Sequence, residues 1–308
     1  MFTYSCQSKK YDLEIKTLQT YGDNTENIMS NIGDFDFYHN DLYILDYGQM
    51  IIFQFDLAGR LINKIKLRSG RGPGEFTIGL ISFKVLNDSL IAVADQILKS
   101  VQLISHRNAN YKYIKSIKLD FNPYKIFYLD SLLYISGDAY DYILYVFDLN
   151  GNIKKKILSQ YLSKNQPTPW YSEVVIDNDN SIYATDPYKS EITKWNKVNK
   201  WKFTSTKNLI EPPIIIGKGG MGQLKGWTNL FIFKKYLIAS TYNLNSYKER
   251  ENLPQIIIID KNNGKLILQN SVQNPFKVKS YLNGDYIFKK NYEQFPSVSR
   301  IKIKLKKK

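Results

Sequence analysis

Cysteine, histidine and arginine are scarce in this chain of 308 residues, and the first two scarcities exclude classes of metal site. The single cysteine excludes a disulfide framework and any zinc site built mainly from thiolates. The two histidines, His39 and His106, cannot form a metal centre with three imidazole ligands. Long apolar runs are absent as well, since no window reaches the roughly 18 apolar residues of a membrane-spanning helix.

Arginine is scarce although the chain is strongly basic, with a formal net charge of +15. Only six of its 43 basic residues are arginine. Proteins that bind nucleic acids use arginine for bidentate phosphate and base contacts, so we expect no nucleic-acid partner. The many lysines fit the composition drift of an AT-rich genome, spread over a solvated surface. A selected basic face is the alternative.

The first ten residues are mostly polar, and we expect residues 1–10 to form a disordered tether. Within them, Ser5 directly precedes Cys6, and a short polar stretch follows. This arrangement resembles the end of a bacterial lipoprotein signal whose apolar part would lie before Met1. In that interpretation Cys6 carries the lipid, and the protein lies in the periplasm or on the outer membrane. If Met1 is the true start, the protein is cytoplasmic and Cys6 is a free thiol.

Short segments of alternating apolar and polar residues recur along the chain and end at turns rich in Gly, Asn and Asp. Four aligned aspartates, Asp46, Asp95, Asp138 and Asp186, mark this repeat at intervals of 43 to 49 residues. Each unit holds four short strands, and six units fill residues 32 to 308. The pattern predicts an all-β fold, a six-bladed β-propeller with four-stranded antiparallel blades.

The sixth unit supplies only three strands before the sequence ends, whereas a propeller must leave no open sheet edge. The segment Tyr11–Leu18 also alternates and precedes the first unit. We therefore expect this segment to pair beside Ile301–Leu305 as the outer strand of the last blade. Residues 11–308 would then form a single propeller domain.

In a four-stranded meander, the turns after the second strand and the connections after the fourth strand share one face. Propellers usually bind ligands where such loops converge at the mouth of the channel. The predicted ligand-binding rim consists of Asp46, Tyr47, Asp95, Asp138, Tyr140, Asp186, Tyr188, Tyr242 and Asn243. The alternative for each aspartate is a structural role, in which its carboxylate caps the turn that follows.

Two stretches resemble a known group of proteins. Leu42–Asp46 followed by Ile52–Gly59 resembles the NHL repeat. The stretch Gly70, Arg71, Gly72, Pro73, Gly74, Glu75 and Phe76 resembles a loop of six-bladed, NHL/TolB-like propeller lipoproteins from Bacteroidetes-type bacteria. The resemblance implies an envelope location and a binding role. The same loop also fits a tight crossing to the next blade, with Glu75 accepting a bond from a backbone amide.

Signals of catalysis are weak. His39 and His106 lie in polar stretches, where we expect solvated loop histidines, and there is no Gly-x-Ser-x-Gly motif. We therefore expect a monomeric, non-catalytic binding or scaffold module for a protein, peptide or glycan, which meets a membrane only through a lipid anchor.

A lyase or lactonase-type propeller enzyme that uses channel carboxylates and a divalent metal is the alternative. No cofactor is expected for the binding module. Calcium, which accepts oxygen ligands in flexible geometry, is the candidate metal. Its potential ligands are Asp46, Asp95, Asp138, Asp186 and Asn243.

Overall fold

The structure, a computed structural model, describes most of the chain. The described residues are 11–22, 28–106, 111–137, 142–158, 173–177, 179, 181–185, 192–196, 202–205, 229–240, 255–262, 266–271, 277–280, 287–291 and 296–307. They contain β-strands and no helix, and accordingly none of them forms a helix that could span a membrane. The chain divides into two compact units, which we name the N-terminal unit (residues 19–170 and 290–298) and the C-terminal unit (residues 1–18, 171–289 and 299–308).

The strands are short and follow one another closely in the sequence. In chain order they are β1 (Tyr11–Tyr21), β2 (Ile32–Tyr38), β3 (Asp41–Asp46), β4 (Ile51–Asp56), β5 (Leu61–Lys66), β6 (Arg68–Ser69), β7 (Glu75–Phe76), β8 (Leu80–Asn87), β9 (Leu90–Asp95), β10 (Ser100–Ser105), β11 (Lys112–Lys118), β12 (Pro123–Leu129), β13 (Leu132–Gly137), β14 (Tyr142–Asp148), β15 (Ile153–Leu158), β16 (Val174–Ile176), β17 (Ile182–Thr185), β18 (Ile192–Asn196), β19 (Lys202–Ser205), β20 (Asn229–Phe233), β21 (Tyr236–Ser240), β22 (Gln255–Asp260), β23 (Leu266–Ser271), β24 (Lys277–Ser280), β25 (Ile287–Asn291) and β26 (Ser297–Lys307).

Consecutive strands pair into six four-stranded sheets over the described part of the chain. The N-terminal unit holds the sheets β2–β5, β8–β11 and β12–β15, and the C-terminal unit holds β16–β19 and β20–β23. The remaining sheet has the order β1-β26-β25-β24, so the first strand of the chain lies beside the last. The predicted all-β fold of four-stranded antiparallel blades is therefore confirmed, as is the pairing of the N-terminal segment with Ile301–Leu305.

Burial falls from the middle strands of a sheet to its outermost strand. In the first two sheets, the second strands β3 and β9 are buried on both faces after their first residue. The fourth strands β5 and β11 alternate between buried or half-buried and exposed residues. A strand buried on both faces requires nearly continuous apolar residues, whereas an edge strand needs only one apolar face.

The cores lie between neighbouring sheets. One cluster joins the first and second sheets and includes Ile52, Phe83 and Val93. A second cluster joins the second and third sheets, and a third joins β16–β19 to β20–β23 within the C-terminal unit. Burying one such side chain completely stabilises the fold by about 1.5–3 kcal/mol, so face-to-face packing of sheets supplies most of the stabilisation.

Buried polar groups also join the innermost strands of the first and second sheets. Asp36 Oδ1 lies 2.6 Å from Lys84 Nζ, and Asp36 Oδ2 accepts a hydrogen bond of 2.8 Å from the Val85 amide. Asp34 Oδ2 accepts a bond of 2.7 Å from the Ser82 hydroxyl. These carboxylates are satisfied across the interface between β2 and β8, where an unpaired charge would be costly.

Candidate binding face

The ends of the strands in the N-terminal unit define two faces. The upper face carries the turns 47–50 and 96–99, which follow second strands, and the connection 67–79, which follows a fourth strand. The lower face carries the turns 39–40, 57–60, 88–89 and 149–152. The Leu67 amide donates a hydrogen bond of 2.8 Å to Met50 O. The end of the fourth strand therefore lies at the same end of the first sheet as the turn after the second strand. The upper face thus contains the described part of the predicted rim.

Asp46 is completely buried at the end of β3. Its Oδ1 accepts bonds from the amides of Asn31, Gly48 and Gln49 and from the Ser30 hydroxyl, at 2.8–3.1 Å. Its Oδ2 accepts bonds from the Ser30 amide at 2.6 Å and from Gln49 Nε2 at 2.8 Å. The carboxylate therefore joins the turn after β3 to the segment before β2, and both oxygens are occupied by groups of the same sheet.

Asp95, at the end of β9, is also completely buried and repeats this arrangement in the second sheet. Its carboxylate accepts bonds from the Thr77 amide at 2.7 Å and from the Thr77 hydroxyl at 2.8 Å. The Leu98 amide donates to Asp95 Oδ1 at 3.0 Å. In both sheets the strand-ending aspartate fixes an upper turn, which is the structural alternative considered for these residues.

Of the other predicted rim residues, the structure describes only Tyr47. Tyr47 is half-buried and packs beside the core cluster of the first two sheets. Asp138, Tyr140, Asp186, Tyr188, Tyr242, Asn243 and Cys6 lie outside the described residues. Among the described residues there is no group of three His, Cys, Asp or Glu side chains that could hold a metal ion.

The glycine loop, Gly70–Phe76, is held by its own side chains and backbone. Gly70 donates its amide to Phe76 O at 2.9 Å, and Glu75 Oε2 accepts the Gly72 amide at 2.8 Å. The φ angles of Gly70 and Gly74, +152° and +74°, favour glycine. The carboxylate of Glu75 fills the inner side of the loop, where a Cβ on Gly70 would collide with it. This side is therefore already occupied by an anionic group.

The second sheet anchors the glycine loop from outside. Gln102, buried on β10, accepts the Gly74 amide at 3.0 Å and donates its own amide to Glu75 O at 2.6 Å. Tyr111 donates its hydroxyl to Gly74 O at 2.6 Å. The loop thus lies against β10 and the start of β11, and the expected bond from a backbone amide to Glu75 is present.

Arg68 precedes the loop and is exposed, with its guanidinium over the Tyr111 ring at 5.5 Å. Both its amide, at 2.9 Å, and its Nε, at 3.3 Å, reach the Tyr111 hydroxyl. This hydrogen bond, together with the charge of Glu75, raises the pKa of Arg68 above its usual value. The side chain is held in one orientation while the outer guanidinium nitrogens remain available for an anionic partner.

Three of the six exposed isoleucines among the described residues lie at the upper face, and sequence reasoning missed them; the other three, Ile62, Ile114 and Ile153, lie on strands. Ile78 is 76% exposed, Ile97 is 51% exposed and Ile28 is 43% exposed. Ile97 contacts Gly79, and the Ile28 carbonyl accepts a bond of 2.7 Å from Gln49 Nε2. The signal in the sequence is an isoleucine inside a turn rather than in an alternating strand.

The lower face contains both histidines, and the expectation of a solvated loop is wrong for His106. His106 is buried, with its ring at 80° to that of Tyr43 and 6.0 Å away. Its Nε2 has no hydrogen-bond partner among the described residues. Burial lowers the pKa of His106, and a bond to the Asn87 backbone and the charge of Asp88 oppose this shift. His39 is exposed, as expected.

Comparison with known proteins identifies the architecture. The family model DUF5128, described as a 6-bladed beta-propeller, matches residues 8–209. No curated protein matches the chain by sequence. Among solved structures, a presumptive exported protein of Bacteroides fragilis aligns with a TM-score of 0.63 and 17% identity over 99% of this chain and 98% of its own.

Two further solved structures share the fold at low sequence identity. A member of the DUF4221 family from Bacteroides vulgatus aligns with a TM-score of 0.66 and 12% identity over 97% of this chain and 100% of its own. Virginiamycin B lyase from Staphylococcus aureus aligns with a TM-score of 0.53 and 10% identity over 95% of this chain and 99% of its own. At these identities the likeness concerns the fold alone.

Proposed function

This chain belongs to the DUF5128 family of six-bladed β-propellers, and on that premise we propose that it is a non-catalytic binding or scaffold module of the bacterial cell envelope. Its ligand contacts the upper face, at the mouth of the propeller channel. The module is a monomer that binds a protein, peptide or glycan and no nucleic acid.

The exposed isoleucines of the upper face carry this proposal. Ile97 stands on the turn 96–99, Ile78 in the connection 67–79 and Ile28 in the segment before β2. The buried carboxylates of Asp46 and Asp95 hold these segments in place. Exposed apolar side chains on a rigid frame are typical of interaction sites, because a partner can bury them without a large entropic cost. The predicted rim also includes Asp138, Tyr140, Asp186, Tyr188, Tyr242 and Asn243, which lie outside the described residues.

The envelope location has two supports, the resemblance to NHL/TolB-like lipoproteins and the presumptive export of the Bacteroides fragilis protein with the same fold. We propose that Cys6 carries the lipid anchor. Expression from the native locus with labelled palmitate should give a labelled protein, and Cys6→Ser should remove the label. Equal labelling of both proteins, or of neither, would contradict the anchor.

The lyase or lactonase alternative needs carboxylates that can bind a metal. Asp46 and Asp95 already accept bonds on both oxygens from their own sheets, at 2.6–3.1 Å. A metal could bind them only if these turns came apart. This occupation of the carboxylates supports binding over metal-assisted chemistry at the described part of the rim.

Site-specific photocrosslinking tests the proposed binding face. A benzoylphenylalanine at position 97, on the upper face, is compared with one at position 153, at the start of β15. The two isoleucines that they replace are equally exposed, at 51% each, so exposure itself cannot explain a difference. Irradiation of whole cells should give a discrete adduct from position 97 only. Adducts of equal yield at both positions, or none at position 97, would refute the proposed face.

A further inference from the structure

We infer that the ligand of the upper face is an acidic polypeptide segment with apolar side chains. This inference rests on the proposed binding function and adds the chemistry of the ligand. It follows from two properties of the same surface, its unpaired positive charge and its exposed isoleucines.

Basic residues collect at the upper ends of the first two sheets. Five exposed basic side chains stand at the ends of strands, in the turns or in the connection 67–79, namely Lys66, Arg68, Arg71, Lys99 and Lys118. Among the described residues, none of them pairs with a carboxylate. Asp120 is the exposed acidic residue beside them. An exposed excess of positive charge attracts an acidic partner and orients its approach.

The lower face shows that this excess is local and not a uniform consequence of a lysine-rich composition. There, Arg60 lies 2.6 Å from Asp56, and Lys154 lies 2.9 Å from Asp148. Each pair joins a basic residue to an aspartate of the same turn. Arg60 and Lys154 are thus neutralised within the chain, whereas Lys112, at the lower end of β11, is exposed without a carboxylate partner among the described residues. The five basic residues of the upper face all remain available to a partner.

The isoleucines distinguish a polypeptide from other anionic ligands. A uniform polyanion would leave Ile78 and Ile97 unburied. A glycan would be expected to stack on exposed aromatic rings, but of the rim and glycine-loop rings that the structure describes, Tyr47 is half-buried and Phe76 is buried. An acidic segment with apolar side chains satisfies both the positive charge and the isoleucines.

The contacts are expected to come from side chains, because the glycine loop has no free inner side for an anion. Glu75 fills that position and accepts the Gly72 amide. Arg71, at the outside of the loop, has no hydrogen-bond partner among the described residues. Arg71 and the strand-end lysines would therefore contact the carboxylates, while Ile78 and Ile97 contact the apolar groups.

Selection from a phage-displayed library of random 12-residue peptides tests the inference. The full chain is the bait, and an upper-face variant with Lys66→Gln, Arg71→Gln and Lys118→Gln is the counter-selection. A control variant with Lys16→Gln, Lys112→Gln and Lys155→Gln loses the same number of exposed lysine or arginine charges elsewhere. We expect enriched peptides to combine Asp or Glu with Ile, Leu, Val or Phe. Their affinity should fall about tenfold in the upper-face variant and in Ile78→Ser/Ile97→Ser, but not in the control.

Other outcomes overturn the inference. The first is enrichment of peptides that are basic or wholly apolar. The second is a selection in which no peptide is enriched on the full chain relative to the upper-face variant. The third is enrichment of acidic peptides whose affinity does not change in Ile78→Ser/Ile97→Ser. Flotation with vesicles of 30% phosphatidylglycerol forms a separate arm, and vesicle binding without peptide binding would assign the surface to a membrane. An adduct from position 97 in cells, together with failed peptide selection, would refute the ligand class and leave the binding function standing.

Discussion

Both ends of the sheets in the N-terminal unit depend on aspartates that end strands, but the two ends use them differently. At the upper face, Asp46 and Asp95 are completely buried and bind groups 16 and 18 residues away in the sequence. At the lower face, Asp56 binds only its own turn, accepting the amides of Ala58 and Arg60 at 2.9 Å each. Asp148 repeats this local pattern in the third sheet.

The comparison shows that burial, more than residue type, decides what a strand-ending aspartate contributes. When an exposed turn loses its carboxylate, water can hydrogen-bond the amides that remain. When a buried turn loses it, those amides have no solvent to replace it, and each costs free energy. The upper aspartates therefore hold tertiary structure, while the lower ones set local turn geometry.

The largest effect is expected at a buried aspartate. Asp46→Ala leaves the amides of Ser30, Asn31 and Gly48 without their acceptor, and it should lower the free energy of unfolding by about 3 kcal/mol. Urea unfolding at pH 7 measures this loss. Asp120→Ala, at an exposed site, is the control and should leave the midpoint unchanged. If Asp46→Ala lowered the free energy of unfolding no more than Asp120→Ala does, the buried aspartates of the upper face would not hold tertiary structure.

Two glycines with positive φ, Gly74 at the upper face and Gly151 at the lower face, differ in the room available for a side chain. At Gly74, φ is +74° and a new Cβ would lie 2.7 Å from the Tyr113 Cβ. At Gly151, φ is +90°, but the nearest atom, Ile117 Cγ1, is 3.5 Å away. Gly151→Ala should cost about 1 kcal/mol from backbone strain alone, and Gly74→Ala about 3 kcal/mol from strain and collision. Equal costs in urea unfolding would contradict the crowding of the glycine loop.

A smaller effect that depends on pH is expected at Asp148. Hydrogen bonds from Asn152 and Lys154 hold the pKa of Asp148 well below its usual 3.8. The charged carboxylate therefore stabilises the fold above pH 3.8, and this stabilisation is lost as the pH falls further. Asp148→Asn should lower the urea midpoint at pH 7 by less than Asp46→Ala does. The difference in urea midpoint between Asp148→Asn and wild type should become smaller below pH 3.8. A difference that grows there would contradict a lowered pKa of Asp148 in the folded protein.

The smallest effect is expected at His106. Burial lowers the pKa of His106 below 6.5, so the unfolded chain binds a proton more readily than the folded chain. Stability should therefore fall as the pH drops below about 6.5, the ordinary value for histidine. In thermal melts between pH 7.5 and 5, the melting temperature of His106→Gln should fall less than that of wild type. The melting temperature of His39→Gln, altered at an exposed site, should fall as much as that of wild type. An equal fall in all three proteins would exclude a role for His106.

The fold was predictable from the sequence because its signals are local. Alternation over six to eight residues indicates a strand, and Gly, Asn or Asp marks the turn that follows. The pairing of β1 with β26 followed from counting strands in the last unit, since a propeller leaves no open sheet edge. Neither inference needed knowledge of which residues meet across the sheets.

The candidate site was less predictable because it depends on contacts between distant segments. The positions of Asp46 and Asp95 were predicted, but their burial follows from Ser30 and Thr77 arriving beside them. His106 has polar sequence neighbours, yet it lies edge-on to Tyr43 of the first sheet. Ile78 and Ile97 were missed because sequence patterns predict that apolar residues are buried in the core. Only the tertiary structure shows that these two side chains are exposed.

The pairing of the first strand with the last has a consequence for biosynthesis. The ribosome completes β1 at Tyr21 and does not begin β26 until Ser297. At typical rates of translation, β1 waits roughly 15–55 s for its partner. During this interval the nascent chain carries an unpaired strand near its N-terminus, which a chaperone could protect or a translocation machine could thread.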